Sequence, residues 1–368
     1  MAQYVEDYAP YTAGTQLRVG ASAEHGGKAL FAAEGLPAGT ELLEELPLVA
    51  WPTAASATAG GFCDACLAVT DGLTPCAYGS GAHFCGSARC ADGVVHRALC
   101  HGGGLSALRQ WQLESFGGSQ YGAESVARCN ARIAADTAYF CSLGLPADVA
   151  LLNAQRPFER LCAFPPGCEL ALGGGLTADE LAQVLRTHTR RGLLTELCAR
   201  LPAAEAEPIA DSLLSAPHVA GLLQRLLLNS LATKPHRGAA HGSSDEPKLR
   251  FAGVFLLTAC ANHSCAPNVK VEATDEGSLR LRTTSRVEAG DELRISYIDT
   301  TLTRGAREKR LAHWAIDACA CTRCRDEDER PAAAEGTAGV ARPLVGEQVG
   351  EDRAGKRRKK ACESVRSF

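Results

Sequence analysis

The sequence predicts an α+β protein in which strand-forming segments on both sides enclose a long helical block. Three observations support this prediction. Short apolar runs alternate with Gly and Pro near the N-terminus, apolar residues at helical spacing fill the middle of the chain, and alternating strand patterns return after about residue 250. Cysteine-rich segments lie beside the strand regions, which indicates that bound metal stabilises part of the fold.

Length and composition exclude several classes of protein. The 368 residues exceed the usual size of one domain, so we expect a core with insertions or two to three modules. A net charge of -4 gives no general reason to expect nucleic-acid binding. No secretory signal is visible, and the longest apolar run, residues 251–261, is too short for a membrane span. We therefore expect a soluble, intracellular protein without membrane association.

The first strand-forming segment covers residues 16–52. Apolar runs such as residues 28–32 and 41–43 are separated by Gly and Pro, as is typical of short strands joined by turns. We expect this β-rich segment to be incomplete by itself.

The middle of the chain, residues 102–240, is predicted to be a helical insert. Thr177 and Glu180 have the spacing of a capping box that precedes an apolar helix face. A second apolar repeat, at i, i+3, i+4, i+7 and i+8, begins at Val219. The polar stretch 236–248 is predicted to be an exposed loop.

Strand patterns return in residues 241–302, where Leu293, Ile295 and Tyr297 share one face of a strand. Residues 303–328 carry the last cysteine cluster. The remaining residues, 329–368, are rich in Ala, Gly and charge and are predicted to be a disordered basic tail. Its run of five basic residues, 356–360, is interpreted as a nuclear localisation signal, with a nucleic-acid contact or an ordinary solvated tail as the alternatives.

Cys319, Cys321 and Cys324 form a Cys-x-Cys-x-x-Cys cluster. A closed structural zinc site needs four ligands, so one must come from elsewhere, and Cys265 is the natural candidate. Zinc would then hold the C-terminal cluster against the turn that contains Cys265. The alternatives are a zinc knuckle that folds on its own, or three cysteines that only pack together.

A second cluster lies in residues 53–101. The 17 cysteines are an odd number in a chain without an export signal, so we expect reduced thiols that are available as ligands. An interleaved arrangement gives one zinc ion to Cys63, Cys66, Cys85 and Cys90, and another to Cys76, His83, His96 and Cys100. Together with the C-terminal cluster, this predicts three zinc ions. His83 is the weakest ligand, because it could be a surface imidazole that leaves the second site open or absent.

Three motifs occur in a characteristic order: Asn262-His263-Ser264-Cys265-x-Pro267-Asn268, then Gly290-Asp291-Glu292-Leu293-x-Ile295-Ser296-Tyr297, then Cys319-x-Cys321-x-x-Cys324. This pattern resembles SET-domain protein lysine methyltransferases. The segment 53–101 resembles a MYND finger, so the nearest resemblance is to the SMYD (SET and MYND) type or a plant or algal relative. It covers roughly residues 17–326 and implies a split SET β-fold with a zinc-binding MYND-like insert, a helical insert and a post-SET zinc segment.

The resemblance also implies S-adenosylmethionine as cofactor and a lysine of a histone or another protein as substrate. It implies cofactor contacts for Gly27, Lys28, Ala29, Asn229, Asn262, His263 and Tyr297, with Tyr297 also as the catalytic tyrosine. Methyl transfer from a sulfonium to a neutral amine depends mainly on positioning, which a Tyr hydroxyl and a dry aromatic channel provide. His263 is expected to serve the cofactor and Cys265 the zinc, as separable roles.

Some residues depart from the family pattern. Ala29 replaces a glycine of the opening strand, Gly79 replaces a cysteine of the finger, and Asp317 stands where an aromatic residue is expected. Trp314 and Ile316 are the candidates to replace that aromatic residue. Ala29 and Asp317 favour the alternative hypothesis of a zinc-dependent protein-interaction module with an inactive SET core.

We expect a nuclear and/or cytoplasmic location for the protein. A peptide is the expected partner of the finger, and the overall negative charge argues against nucleic-acid binding.

Overall fold

The computed structural model describes residues 2–24, 27–91, 93–116, 122–164, 177–234, 236–237 and 249–329. The strands are β1 (Leu17–Ala21), β2 (Lys28–Ala32), β3 (Glu41–Glu45), β4 (Val49–Pro52), β5 (Ala68–Val69), β6 (Thr74–Pro75), β7 (His83–Phe84), β8 (Ser230–Thr233), β9 (His236–Arg237), β10 (Phe251–Val254), β11 (Asn262–His263), β12 (Val269–Ala273), β13 (Leu279–Thr283) and β14 (Glu292–Ile295). The helices are α1 (Ala2–Thr12), α2 (Ala54–Ala59), α3 (Ala88–Ala91), α4 (Val94–Leu99), α5 (Gly104–Phe116), α6 (Ala123–Ser142), α7 (Ala147–Glu159), α8 (Ala178–Cys198), α9 (Ala203–Leu213), α10 (Ala216–Asn229), α11 (Arg304–Leu311) and α12 (Thr322–Glu329).

Strands from the two sides of the helical block pair with one another. Three sheets have the orders β1-β2-β14-β11, β12-β13-β3 and β4-β10-β8, so each one combines early and late strands. Because every early strand in these sheets except β1 borders a late strand, the N-terminal segment cannot complete a sheet alone. The predicted α+β class and the split β-core are confirmed.

The core of the largest sheet follows the alternation of each strand. Leu30 of β2 and Leu293 of β14 are register partners, and both are buried. Val19 of β1 pairs with Leu30 from the other side. Ile295 is buried in the same cluster, and Tyr297 packs against it, as the alternating pattern predicted.

The helical block surrounds α6, which packs against α7, α8 and α10. The predicted capping box begins α8: Glu180 N donates to Thr177 Oγ1 at 3.2 Å, and Thr177 N donates to Glu180 Oε2 at 2.7 Å. The predicted apolar repeat from Val219 lies on the buried face of α10. The elements that were not predicted include α1, which precedes the first predicted strand segment, β8, which lies within the segment assigned to the helical insert, and β9, which occupies the first two residues of the predicted loop.

The finger is fixed to the helical block by buried ion pairs. Arg109 of α5 contacts both Asp64 of the finger and Glu124 of α6, and Arg128 donates to the Asp64 carbonyl at 2.8 Å. Burial opposes the ionised form of Glu124, but Arg109 and Arg128 outweigh it and hold the pKa of this carboxyl below its usual value. The finger is therefore an integral part of the fold.

Two predictions concern parts of the chain outside the described residues. Most of the loop predicted at 236–248 and the tail from residue 330 lie there, including the basic run 356–360. Within the described ranges, no helix has the length and apolar character needed to cross a membrane.

Candidate cofactor site and metal centres

Four buried cysteines come together where the C-terminal segment meets the sheet. The Sγ atoms of Cys265, Cys319, Cys321 and Cys324 all lie within 4.8 Å of one another. Cys265 follows β11, whereas the other three lie before and within α12. A tetrahedral zinc–thiolate site has sulfur atoms about 3.8 Å apart, so this cluster fits one zinc ion after a small contraction.

Burial and a neighbouring arginine act on the charge of this cluster in opposite directions. Burial raises the pKa of the Cys265 thiol to about 12, so the isolated thiol is protonated at neutral pH. A bound divalent cation would deprotonate it. Arg307 of α11 is buried beside the cluster, with one guanidinium nitrogen 3.7 Å from Cys324 Sγ and in contact with Glu327. It is placed to stabilise thiolate charge.

A second group of four thiols lies in the finger. The Sγ atoms of Cys63, Cys66, Cys85 and Cys90 are within 4.8 Å of one another, and those of Cys66 and Cys85 are 4.0 Å apart. Leu67, directly after this first cysteine pair, has a left-handed backbone with φ of 61°, which closes the turn between the two ligands and β5. The donor set again fits one zinc ion.

The other predicted finger ligands are only partly brought together. Cys76 and Ser80 contact the Cys100 thiol, and burial raises its pKa to about 12. The ring centroids of His96 and Phe84 are 4.7 Å apart. Because the Phe84 side chain is buried, His96 lies on the buried side of β7. His83 precedes Phe84 on that strand, so its exposed side chain points to the opposite face.

Cys76, His83, His96 and Cys100 thus do not form a four-ligand group in the part of the chain that the structure describes. Zinc binding at this second finger site remains a prediction.

His263 joins the C-terminal cysteine cluster to Tyr297. The imidazole is buried, and its Nδ1 accepts a hydrogen bond from the Tyr297 backbone N–H at 3.1 Å. The ring proton is therefore on Nε2, which lies 3.3 Å from Cys265 Sγ and donates to it. The roles predicted as separable are physically connected in the structure.

The Tyr297 side chain is held between two other rings. Its hydroxyl donates to the Ala261 carbonyl at 2.9 Å, and its ring centroid lies 5.4 Å from His263 and 5.3 Å from Trp314. Burial raises the pKa of Tyr297, so the hydroxyl stays protonated. Of the two candidates for the missing aromatic residue, Trp314 lies beside Tyr297, whereas Ile316 packs against the cysteine cluster.

The opening strand β2 lies directly beside β14. Asn262 Nδ2 donates to the Lys28 carbonyl at 3.2 Å and to Glu292 Oε1 at 2.8 Å, which connects β11 to β2. Ala29 is fully buried, and its φ is not positive. This position therefore does not require the positive φ that favours glycine. A Cβ added to Gly27, two residues earlier, would meet no heavy atom within 4 Å.

A segment that sequence reasoning missed connects Lys28 to Asn229. Lys28 Nζ donates to the Arg160 carbonyl at 2.6 Å. Two residues later, Cys162 N donates to Asn229 Oδ1 at 3.1 Å, and Asn229 Nδ2 donates to the Cys162 carbonyl at 2.8 Å. The Cys162 thiol also contributes to the raised pKa of Tyr297. No local motif marks residues 160–162, because they act mainly through backbone carbonyl and amide groups.

The predicted site residues therefore lie in one region, although they come from distant parts of the sequence. β2 and the residue before it supply Gly27 to Ala29, the end of α10 supplies Asn229, and β11 and the end of β14 supply the remaining three residues, Asn262, His263 and Tyr297.

Known proteins resemble the chain in parts. A Dictyostelium discoideum SET and MYND domain-containing protein is 38% identical over 98 residues, which are 26% of this chain and 18% of that protein. The Gallus gallus protein-lysine N-trimethyltransferase SMYD5 is 29% identical over 114 residues, or 30% and 27% of the two chains. The Mus musculus histone-lysine N-methyltransferase SMYD3 is 35% identical over 77 residues, or 21% and 18%. The chain thus spans less than a third of the length of each of these relatives.

A family model described as "SET domain" matches residues 27–298. The match begins at the opening strand and ends just after Tyr297, and the structure places these two ends side by side in one sheet. Because it covers more than half of the sequence, this chain belongs to the SET domain family, which is a methyltransferase fold.

Proposed function

We propose that this chain is an S-adenosylmethionine-dependent protein-lysine N-methyltransferase. The observation that carries the proposal is the environment of Tyr297, whose hydroxyl and backbone N–H are both fixed and whose ring contacts Trp314. Membership of the SET domain family, together with relatives named as protein-lysine and histone-lysine methyltransferases, supports this reaction class.

Tyr297 would orient the reacting amine. Its hydroxyl is protonated and already donates to the Ala261 carbonyl, so its oxygen has lone pairs available to an incoming N–H group. The fixed ring requires no reorganisation when substrate binds, which is the main source of rate enhancement in a reaction that depends on alignment.

The Tyr297 and Trp314 rings would form the wall of a narrow, dry passage. An apolar environment disfavours an ammonium relative to a neutral amine, and only the neutral lysine is nucleophilic. The zinc-binding cysteines would fix the position of Trp314, because Cys319 follows it by five residues and its thiol lies beside that of Cys265. Metal binding and substrate alignment are therefore linked.

The donor set of this region fits S-adenosylmethionine, which would supply the methyl group on its sulfonium. The buried Lys28 ammonium has no carboxylate partner among the described residues. Lys28 bonds the Arg160 carbonyl, two residues before Cys162, and Cys162 bonds Asn229. A Cβ added at Gly27 would meet no heavy atom within 4 Å. We propose Gly27, Lys28, Ala29, Asn229, Asn262, His263 and Tyr297 as the residues that line the cofactor site.

Substrates and location are proposed from the relatives and the sequence. A histone or another protein would present the lysine, and a peptide would bind the finger. The basic run 356–360 would direct nuclear import, which a reporter fusion with these five residues replaced by alanine would test by the loss of nuclear signal.

The decisive experiment measures methyl transfer from labelled S-adenosylmethionine to a protein extract and to core histones. The Tyr297→Phe variant removes only the hydroxyl and should reduce turnover on the order of 100-fold, as expected for the loss of one preorganised hydrogen-bonding group. Tyr139→Phe is the matched control, because Tyr139 is exposed on α6, in the helical block.

The control should retain wild-type turnover. Absence of transfer above background from the wild type, with zinc bound, would overturn the enzyme proposal. It would support the alternative of a zinc-dependent interaction module with an inactive SET core.

A further inference from the structure

The carboxylate of Glu45 holds a turn from a distant part of the sequence. Glu45 ends β3, and its Oε1 accepts from Leu257 N at 2.8 Å. Its Oε2 accepts from Thr258 N at 2.9 Å and from Thr258 Oγ1 at 2.7 Å. Burial raises the pKa of this carboxyl, and these hydrogen bonds oppose that rise. Because hydrogen bonds to a carboxylate are stronger than those between neutral groups, the contact fixes the start of the turn.

The turn requires an acceptor from another element. Thr258–Cys260 form a single turn of 3-10 helix, and the first N–H groups of a helix have no acceptor within it. Leu257, at the position before this helix, has an apolar side chain that offers none. Both donor residues are buried. Glu45, 212 residues before Leu257 in the sequence, therefore provides the acceptors that these N–H groups need.

The same turn ends at the acceptor of the Tyr297 hydroxyl. Ala261 N donates to the Thr258 carbonyl at 3.1 Å, so the end of the turn is tied to the threonine that contacts Glu45. The Ala261 carbonyl then accepts from the Tyr297 hydroxyl at 2.9 Å. A short series of hydrogen bonds thus connects the Glu45 carboxylate with the hydroxyl that is proposed to align the substrate.

The two residues that follow the turn have supports of their own. Asn262 and His263 form β11, which pairs with β14, and Asn262 also bonds the Lys28 carbonyl. Loss of the Glu45 contact should therefore displace the Ala261 carbonyl more than these two residues. The effect on Tyr297 can then be measured apart from the binding of cofactor.

We propose that Glu45 is a positioning residue for methyl transfer: its carboxylate fixes the turn 257–261, and through the Ala261 carbonyl this turn sets the position of the Tyr297 hydroxyl. The inference rests on the proposed function and deepens it. In a reaction that depends on alignment, a displacement of about 1 Å at the reacting groups can lower the rate on the order of 100-fold.

Turnover of the zinc-loaded full chain with labelled S-adenosylmethionine and core histones tests this assignment. Glu45→Gln keeps the size of the side chain but replaces one acceptor oxygen with an NH2 group, so the turn loses at least one hydrogen bond. We expect kcat to fall about 10-fold, because the displacement is partial. KM for histone, and the Kd of S-adenosylmethionine from calorimetry, should stay within about 2-fold of wild type, since the lost alignment belongs to the transition state.

Glu44→Gln is the matched control, because Glu44 precedes Glu45 on β3 and points to the opposite face, where it accepts from Ser278 Oγ at 2.6 Å and from Arg280 at 2.7 Å. This control should keep the wild-type kcat. Thr258→Val retains the shape of the side chain and both backbone donors, so it should lower kcat by a smaller factor than Glu45→Gln. Thr258→Ser restores the hydroxyl and should recover the wild-type kcat.

A double-mutant cycle separates positioning from a general structural role. If Glu45 acts through the Tyr297 hydroxyl, Glu45→Gln should lower kcat by less than about 2-fold in the Tyr297→Phe background, because the group that it positions is already absent. The same factor in both backgrounds would show a purely structural role and would overturn the inference. Should Glu45→Gln fail to fold, the cycle of Thr258→Val with Tyr297→Phe decides by the same criterion.

Three further outcomes would overturn the inference. A wild-type kcat in Glu45→Gln would show that the turn does not position Tyr297, while the proposed function would stand. A loss confined to KM or to the Kd of S-adenosylmethionine would assign Glu45 to ligand binding, and the proposed function would again stand. Absence of turnover in the wild type would overturn the proposed function and the inference with it.

Discussion

His263 uses both ring nitrogens within the protein. Nδ1 accepts from Tyr297 N–H, and Nε2 donates to Cys265 Sγ. A histidine that hydrogen-bonds a metal ligand raises the specificity and affinity of the metal site through orientation and charge. The same imidazole therefore contacts the C-terminal cysteine cluster and fixes the residue proposed to align the substrate.

Substitutions of His263 that each keep one of its two hydrogen-bonding groups should separate these two contacts. His263→Asn keeps an acceptor oxygen near the position of Nδ1, so it should retain the contact with Tyr297 but lower zinc affinity about 10- to 100-fold. His263→Gln keeps a donor near Nε2 and should retain zinc more strongly. The measurement is the release of zinc to a chelator. The ion of the C-terminal cluster is identified as the one that is absent from the Cys324→Ser variant. Equal release from both variants would contradict the role of Nε2.

Several single residues could be predicted from sequence, because they belong to motifs with fixed spacing. Cys265 was assigned to Cys319, Cys321 and Cys324 from the number of ligands that zinc requires, and the structure brings the four together. Tyr8 had no such signal, since a tyrosine near the N-terminus does not reveal which backbone carbonyl it will reach more than a hundred residues away.

Among the elements, α4 and α8 make the closest helix contact of the finger with the helical block. Gly192 of α8 lies against the Ala98 carbonyl of α4, and a Cβ at this position would lie only 1.9 Å from that oxygen. The glycine is therefore required by close backbone approach. Neither helix shows this requirement in its own sequence pattern, because it arises only when the two helices pack.

Gly192→Ala should destabilise the protein although alanine is the better helix former. We expect the free energy of unfolding to fall by about 1–2 kcal/mol, because an overpacking cost at the upper end of about 1–3 kcal/mol exceeds the gain of about 1 kcal/mol in helix propensity. Gly305→Ala on α11 is the control, since a Cβ added to Gly305 would have no heavy atom of another part of the chain within 4 Å. Urea unfolding should show no loss in the control; equal losses in both variants would exclude the packing explanation.

The contact between α6 and α10 should make stability depend on pH. His218 Nε2 lies 2.9 Å from Asn130 Oδ1, and burial, with Arg225 nearby, lowers the pKa of His218 to about 4 from 6.5. Between these values the unfolded chain binds a proton that the native state does not. Stability should therefore fall as pH falls from 6.5 towards 4, by at most about 1.4 kcal/mol per pH unit.

His218→Gln retains a hydrogen-bond donor towards Asn130 but does not titrate. Urea unfolding of wild type and variant from about pH 7.5 to about pH 5 should give a shallower decline for the variant, because other acid-sensitive groups are common to both proteins. Parallel declines would show that His218 is protonated equally in both states.

At the scale of the whole molecule, the sheets join segments that are more than 200 residues apart in sequence. β2 pairs with β14, and β3 pairs with β13. The local patterns predicted the strand types, but the pairing was predictable only through the resemblance to SET domains. The helical insert and the finger form the long connection between the paired strands, and the ion pairs of Arg109 hold these two parts of the connection together.

Metal content tests the organisation of the whole chain. The two four-cysteine groups predict at least two zinc ions per protein, and the prediction of a third rests on Cys76, His83, His96 and Cys100. Elemental analysis should show that Cys66→Ser and Cys324→Ser each lose one ion independently, because their clusters occupy different elements.

The variants Cys100→Ser and His83→Ala test the third site. If the wild type binds three ions and each variant binds two, the third site exists and His83 is one of its ligands. Loss in Cys100→Ser alone would exclude His83, whose side chain points away from Phe84 and His96 on β7. Two ions in the wild type, unchanged in both variants, would exclude the third site altogether.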